Sequence, residues 1–108
     1  MAEAVAVIAT PNGSKYLQQL CKHWSHKLET EFDAVRGRVN FEVAAAHFAA
    51  ATDALTVTVA APDAPTLERI EAVVASHLQR FAFREVLGID WVSSCSADPM
   101  SLVRVESD

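Results

Sequence analysis

The chain has 108 residues, of which 51% are hydrophobic and 21% are charged, and its formal net charge is −5 at pH 7. This length and this hydrophobic content fit one compact domain with a modest core, and they exclude wholesale disorder. The negative charge argues against broad nucleic-acid binding, and the longest apolar run, residues 43–51, is too short to cross a membrane.

The first part of the chain predicts a strand followed by an amphipathic helix. Alternating valines indicate a strand over residues 3–10, and Thr10 or Asn12 can cap the helix that follows. We expect this helix to run to about Leu28. One face of the helix, about 100° wide, carries the apolar residues that should pack on the core. These residues are Leu17, Leu20, Cys21, Trp24 and Leu28.

The middle of the chain predicts short strands joined by turns. We expect a strand over residues 29–33 with Phe32 turned inward, and a turn over residues 34–37. Residues 38–42 alternate as a second hairpin arm. The segment that follows is rich in alanine, which favours a helix by propensity, but it lies between two strong strands without a helix cap. We therefore predict a strand over residues 46–50.

A further strand, a second helix and a closing strand complete the predicted domain. Residues 55–59 alternate cleanly, with the threonines facing out and the leucine and valines facing in. Asp63 is the expected N-cap of the second helix. One face of that helix carries Leu67, Ile70, Val73, Val74, His77, Leu78 and Phe81. We expect the closing strand over residues 86–92, which includes Trp91.

This order of elements, β-α-β-β-β-β-α-β, predicts an α+β fold. Strands joined by short turns form an antiparallel sheet, and two one-sided helices must cover one of its faces. The fold class is therefore a two-layer sandwich, an antiparallel sheet with two helices on one face. We expect a single domain over residues 1–92 and a C-terminal tail over residues 93–108. This tail is expected to be loose or to add an edge strand at residues 102–105.

The first helix also carries the main candidate binding site. Lys22, His23, His26 and Lys27 lie away from its apolar stripe, and no acidic residue between positions 14 and 28 offsets the lysines. His23 and His26 are i,i+3 neighbours that can face one ligand. We predict that this basic patch, defined by the four residues, binds an anionic small molecule or an acidic protein surface. The alternative is an ordinary solvated helix face.

Metal binding and catalysis are not expected of these residues. Cys21 lies on the other side of the helix from His23 and His26, so the three cannot bind one metal ion. Two histidines alone supply fewer ligands than the three or four of a stable zinc or iron site. The chain has no glycine-rich phosphate loop and none of the common catalytic motifs. We therefore predict no cofactor, no metal site and no catalytic residue.

Four other side chains are expected to have structural roles. Cys21 should be a buried and unreactive thiol, and Trp24 should anchor the core. His77 should be a hydrogen-bonded histidine in the core or at a seam between elements. Arg84 should pair with a carboxylate near the end of the second helix.

The sequence also indicates the compartment. Two cysteines are too few for a disulfide framework. The N-terminus lacks the basic and the long apolar regions of a signal peptide. We therefore expect the protein in the cytoplasm.

Four segments and one tryptophan together resemble a known family. They are residues 9–27 (ATPNGSKYLQQLCKHWSHK), 37–41 (GRVNF), 61–64 (APDA) and 77–85 (HLQRFAFRE), with Trp91. Over about residues 4–92 the chain resembles a family of uncharacterised bacterial proteins, domain of unknown function 2218. Relatives occur beside, or fused to, flavin-dependent siderophore-interacting reductases, so the resemblance implies a link to iron handling. The chain departs from the pattern after Phe41, because relatives tend to have a glycine-containing turn where it has Glu42-Val43-Ala44-Ala45.

We therefore expect a non-enzymatic binding or accessory module. The resemblance implies that its partner is a siderophore-interacting flavin reductase or an anionic small molecule, such as a ferric chelate with carboxylate or catecholate groups. Two alternatives stay open. One is a small enzyme that uses histidine acid–base chemistry at the basic patch. The other is a structural homodimer whose contact is the alanine-rich strand region.

Overall fold

A computed structural model describes residues 2–82 and 87–94 of the chain. The strands are β1 (Ala2–Ala9), β2 (Glu29–Phe32), β3 (Arg36–Asn40), β4 (Ala45–Ala50), β5 (Ala54–Ala61) and β6 (Val92–Ser94). The helices are α1 (Gly13–Trp24) and α2 (Ala64–Phe81). The sheet has the order β2-β3-β4-β5-β1-β6, every neighbouring pair is antiparallel, and both helices pack on the same face. The predicted fold class and order of elements are confirmed.

Alternation along the strands divides the sheet into a buried face and an open face, the latter being the face that points away from α1 and α2. In β5, Leu55, Val57 and Val59 are fully buried, whereas Thr56 and Thr58 between them are half-buried on the open face. A strand that packs on one side only requires this period of two. The predicted orientation of the threonines is confirmed.

Helix α1 buries the apolar stripe that the sequence predicts, but it is shorter than expected. Leu17, Leu20 and Cys21 are fully buried, and Trp24 is 7% exposed. The helix ends at Trp24, and turns take the chain from there to Leu28. The hydroxyl of Ser25 donates to the carbonyl oxygen of Lys22 at 2.7 Å. A serine hydroxyl bonded to the backbone in this way competes with the helical pattern, which helps to end the helix.

Gly37 has a different role from the turn residue that the sequence predicts. It lies inside β3, directly below α1, and a Cβ atom built on it would be 2.6 Å from the Sγ atom of Cys21. The hairpin turn comes earlier, at Asp33, whose Oδ1 atom accepts hydrogen bonds from the backbone N–H groups of Val35 and Arg36, both at 2.8 Å. The predicted turn over residues 34–37 is therefore confirmed at residues 34 and 35 and wrong for Arg36 and Gly37, which belong to β3.

Phe32 points inward, as predicted. It pairs with Gly37, and paired residues point to the same side, so its ring points toward the helix layer. However, Phe32 ends the edge strand of the sheet, where α1 covers it only in part, and 41% of it is exposed.

The alanine-rich segment forms β4, as predicted, and its inward-facing residues Ala46 and Phe48 are buried. A tight turn precedes it. The backbone N–H of Phe41 donates to the carbonyl oxygen of Ala44 at 2.8 Å. Glu42 in this turn has a φ angle of 73°, in the left-handed region that favours glycine.

Helix α2 begins at the predicted cap. The side chain of Asp63 accepts a hydrogen bond from the backbone N–H of Thr66 at 2.9 Å. The fully or mostly buried residues of the helix are Leu67, Ile70, Val74 and Leu78. Val73, His77 and Phe81 are half-buried at the edges of this face. The predicted apolar face is confirmed.

The closing strand lies later in the chain than expected. Instead of spanning residues 86–92, β6 runs over Val92–Ser94 and pairs with the outer side of β1. In the preceding segment Leu87 is buried, and Ile89 and Trp91 pack against the core, so these residues contribute packing rather than strand pairing. Strand β6 thus includes the start of the predicted tail, whereas Arg84, Val86 and residues 95–108 lie outside the described residues.

Within the described residues, neither helix combines the length and the apolar character needed to cross a membrane.

Candidate functional site

The four residues of the basic patch are all exposed, but they do not lie on one helix face. Lys22 and His23 belong to the last turn of α1, whereas His26 and Lys27 lie in the turns that follow it. Lys22 contributes to a shallow hollow of about 490 Å³ between α1 and the end of β2. The hollow is lined by Gln18, Gln19, Lys22, Ser25 and Phe32.

The ring of His23 contacts α2. Its ring centroid lies 5.2 Å from that of His77 and 5.9 Å from that of Phe81. The structure therefore pairs His23 with a histidine 54 positions later in the chain (77 minus 23). The position of His77 on the apolar face of α2 was visible in the sequence, but its partner depends on how the helices pack.

His77 lies at the seam between α1 and α2, in agreement with the sequence prediction. Its Nδ1–H group donates a hydrogen bond to the carbonyl oxygen of Val73 at 2.8 Å. Its ring lies 5.2 Å from that of Trp24, which also contacts Phe41 and Phe48 at centroid distances of 5.1 and 6.3 Å. Trp24 is therefore the expected core anchor, and it joins both helices to the sheet.

Cys21 is the buried thiol that the sequence predicts. Its side chain has no exposed surface, and burial raises the pKa of the thiol from 9.0 to about 11. Because only the thiolate is an effective nucleophile, the raised pKa keeps Cys21 unreactive at neutral pH.

A larger hollow lies on the open face of the sheet, and sequence reasoning did not find it. This open-face recess has a volume of about 540 Å³. Its polar lining residues are Glu31, Asp33, Arg36, Arg38, His47, Thr56 and Thr58. The alternation of each strand indicated that several of these residues face away from the core. Only the order of the strands brings them together.

Two rows of paired residues shape the open-face recess. Glu31, Arg38, His47 and Thr58 stand side by side on four consecutive strands. In the next row, Ala49 stands between Arg36 and Thr56. Since alanine is small, the longer side chains around it enclose a depression in which cations and hydroxyl groups face the same space.

Both carboxylates of the open-face recess already have partners. Glu31 lies 3.6 Å from Arg38 in an exposed ion pair. Hydrogen bonds from the backbone N–H groups of Val35 and Arg36, with a smaller effect of the Arg36 charge, lower the pKa of Asp33. Among the described residues, neither Arg36 nor His47 forms an ion pair. The recess therefore offers cationic and hydroxyl donors to a ligand.

A metal site of three or more protein ligands is not present in the part of the chain that the structure describes. No group of three or more His, Cys, Asp or Glu residues with suitable geometry occurs there. The open-face recess is lined by Arg36, Arg38, His47 and the two threonines together with the carboxylates of Glu31 and Asp33.

Comparisons with known proteins agree with this fold. A family model described as an uncharacterized protein conserved in bacteria (DUF2218) matches residues 5–92. The NMR structure of PA4090 from Pseudomonas aeruginosa is similar, with a TM-score of 0.74 and 35% sequence identity. The match covers 85% of this chain and 96% of that one. None of the curated proteins has a matching sequence.

Proposed function

We propose that this chain, which belongs to the DUF2218 family of uncharacterized proteins conserved in bacteria, is a non-enzymatic binding module. The module holds an anionic small molecule in the open-face recess. The resemblance to neighbours of siderophore-interacting flavin reductases suggests a ferric chelate with carboxylate or catecholate groups. In this proposal the module works in the cytoplasm and presents the chelate to such a reductase.

The observation that supports this proposal is the convergence of donors in the recess. Arg36 and His47 face the same depression as Thr56 and Thr58, and the carboxylate of Asp33 is already bonded to the backbone. A guanidinium group binds a carboxylate through two parallel hydrogen bonds, which suits it to this ligand class. The basic patch of the sequence prediction is the alternative location for the same ligand.

The test is a titration of the purified protein with ferric citrate at low and at raised salt concentration. Added salt should weaken the binding, because exposed charges are screened. Arg36→Ala with Arg38→Ala should weaken it by roughly tenfold or more, equivalent to about 1.4 kcal/mol.

Matched variants separate the two surfaces. Lys22→Ala with Lys27→Ala removes two positive charges as well, but from the basic patch, and should leave the affinity near that of the unmodified protein. His47→Ala should also weaken binding, because it removes a hydrogen-bonding side chain from the recess, whereas His26→Ala, at another exposed histidine, should not. If the lysine pair weakens binding and the arginine pair does not, the ligand lies at the basic patch and the open-face recess is the wrong site.

A second candidate function is the structural homodimer. It is favoured by two large apolar side chains on the open face, Val7 and Val92, which are 66% and 67% exposed. Val92 pairs with Val5, which continues the row of Arg38, His47 and Thr58 across the sheet. A second copy of the chain would cover these valines. The enzymatic alternative has no comparable support, since no histidine of the described residues forms an ion pair with a carboxylate.

A further inference from the structure

The pair of histidines at the helix seam lies outside the open-face recess, in which the proposed function places its ligand. We propose that His23 and His77 together bind one divalent transition-metal ion between α1 and α2. The ion is of the class that imidazole nitrogens prefer, such as Zn²⁺, Ni²⁺ or Cu²⁺. Neither residue alone forms a site, and the packing of the two helices creates it.

The first support is the spacing of the rings. A zinc ion lies about 2.0–2.1 Å from a histidine nitrogen, and hence about 3.2 Å from the centre of the imidazole ring. Two such rings on a tetrahedral ion, about 109° apart, have centroids separated by about 5.2 Å. The centroids of His23 and His77 are 5.2 Å apart. The helices therefore hold the two rings at the spacing that two ligands of one ion require.

The second support is the orientation of His77. Its Nδ1–H group donates to the carbonyl oxygen of Val73, which fixes the tautomer and leaves Nε2 with its lone pair available. Histidines that bind metals almost always have such a partner on the other ring nitrogen, often a backbone carbonyl. His77 thus already forms the kind of hydrogen bond that orients a metal-binding histidine.

The third support is the shape of the surroundings. Trp24 and Phe81 flank the pair, with ring centroids 6.3 and 5.9 Å from that of His23. Because His77 is half-buried and His23 is exposed, an ion between them faces the aromatic rings on one side and solvent on the other. Water molecules would complete the coordination. Since the protein supplies two ligands only, the site suits a reversibly bound ion more than a permanent structural one.

The position of Trp24 provides a direct experiment. In a Trp91→Phe background, Trp24 is the remaining tryptophan, and its ring lies 5.2 Å from that of His77. Bound Cu²⁺ quenches a nearby indole, so titration with Cu²⁺ should quench its fluorescence with saturation at one ion per chain. His23→Ala and His77→Ala should each weaken the apparent affinity by at least about tenfold. His26→Ala, an exposed histidine two residues beyond Trp24, should leave it unchanged.

A second measurement avoids variants altogether, in case His77→Ala disturbs the helix seam. When Zn²⁺ is added to the unmodified protein labelled with ¹⁵N, the Nε2 resonance of His77 should shift while Nδ1 keeps its hydrogen-bonded position. Quenching that does not saturate would overturn the proposal. Equal loss of affinity in His26→Ala and His23→Ala, or an unchanged Nε2 resonance, would overturn it as well.

Discussion

At the scale of single residues, Gly37 shows how closely α1 and the sheet approach each other. A Cβ atom at this position would be 2.6 Å from Cys21 Sγ and 3.3 Å from Leu17 Cδ2. Since Leu17 and Cys21 are both fully buried, neither has free space into which to move. Glycine is needed here for the packing between layers and not for a turn.

We predict that Gly37→Ala destabilises the protein by about 1–3 kcal/mol, the usual cost of overpacking a core. The measurement is urea unfolding. Cys21→Ala removes the sulfur atom, so the two changes together should cost less than the sum of their separate effects. Gly88→Ala is the matched control, because a Cβ atom there meets nothing within 4 Å. If Gly37→Ala and Gly88→Ala lower the free energy of unfolding equally, the close approach of α1 to β3 does not affect stability.

A second prediction at this scale concerns Cys21 and alkaline pH. Burial raises its pKa from 9.0 to about 11, so the native state keeps the proton after the unfolded chain has lost it. The stability that the protonated Cys21 thiol contributes to the folded state is fully present below about pH 9. It is lost as the pH rises from 9.0 to about 11. This loss amounts to about 2–3 kcal/mol.

The check is to compare the pH dependence of unfolding between the unmodified protein and Cys21→Ala. Other groups titrate in the same range, but they do so in both proteins, and the difference isolates the thiol. The variant should lack the extra decline in stability above about pH 9. Parallel curves would contradict the prediction.

At the scale of elements, the turn between β3 and β4 contains a conformation that its sequence does not favour. Glu42 adopts a φ angle of 73° although it has a side chain. The turn is held by the backbone hydrogen bond between Phe41 and Ala44 and by the side chain of Asn40, which accepts from the N–H of Glu42 at 2.8 Å. The neighbouring hydrogen bonds thus impose the left-handed conformation on Glu42.

We predict that Glu42→Gly stabilises the protein by up to about 1 kcal/mol, because glycine adopts this conformation without steric cost. Glu42→Ala, which removes the carboxylate but keeps the Cβ atom, should bring no comparable gain. Thermal unfolding of the three proteins distinguishes these outcomes. If Glu42→Ala stabilises the protein more than Glu42→Gly does, the negative charge of Glu42 affects stability more than its backbone conformation does.

Much of the secondary structure was predictable because local patterns determine it. The alternation in β5 and the apolar stripe of α1 have the periods of a half-buried strand and a one-sided helix. The errors occur where tertiary contacts, and not local patterns, determine the position of a residue. Gly37 looked like a turn residue because the local sequence does not show that α1 packs against it. The inward direction of Phe32 was predictable, but its exposure was not, because nothing local marks an edge strand.

At the scale of the whole molecule, the open face has two halves of different character. Strands β2, β3 and β4 contribute charged and polar side chains to it, whereas β1 and β6 contribute the valines. The sequence indicated the outward-facing residues one strand at a time. It did not show the order in which the strands pair or how the two helices pack on the sheet. For that reason neither the open-face recess nor the pairing of His23 with His77 was predictable.

We predict that self-association, if it uses the apolar half, is sensitive to Val7. Sedimentation velocity over a range of concentrations should show a dimer for the unmodified protein and a monomer for Val7→Lys, since a buried lysine is costly. Val35→Lys is the control, because Val35 is 53% exposed but lies in the β2–β3 turn. A monomer at every concentration, or the same response from both variants, would rule out this interface.

The position of β1 inside the sheet, one strand from the edge, has a consequence for synthesis on the ribosome. The first strand to be made lies between β5 and β6, and Ala9 pairs with Ala54 while Ala2 pairs with Ala61. Translation at roughly 5–20 residues per second must add about 45 residues after Ala9 before its partner exists, which takes roughly 2–9 seconds. During this time β1 has no strand beside it. Residues 4–9 of this waiting segment are all apolar and include three β-branched side chains, a composition that favours pairing between nascent chains until β5 has been made.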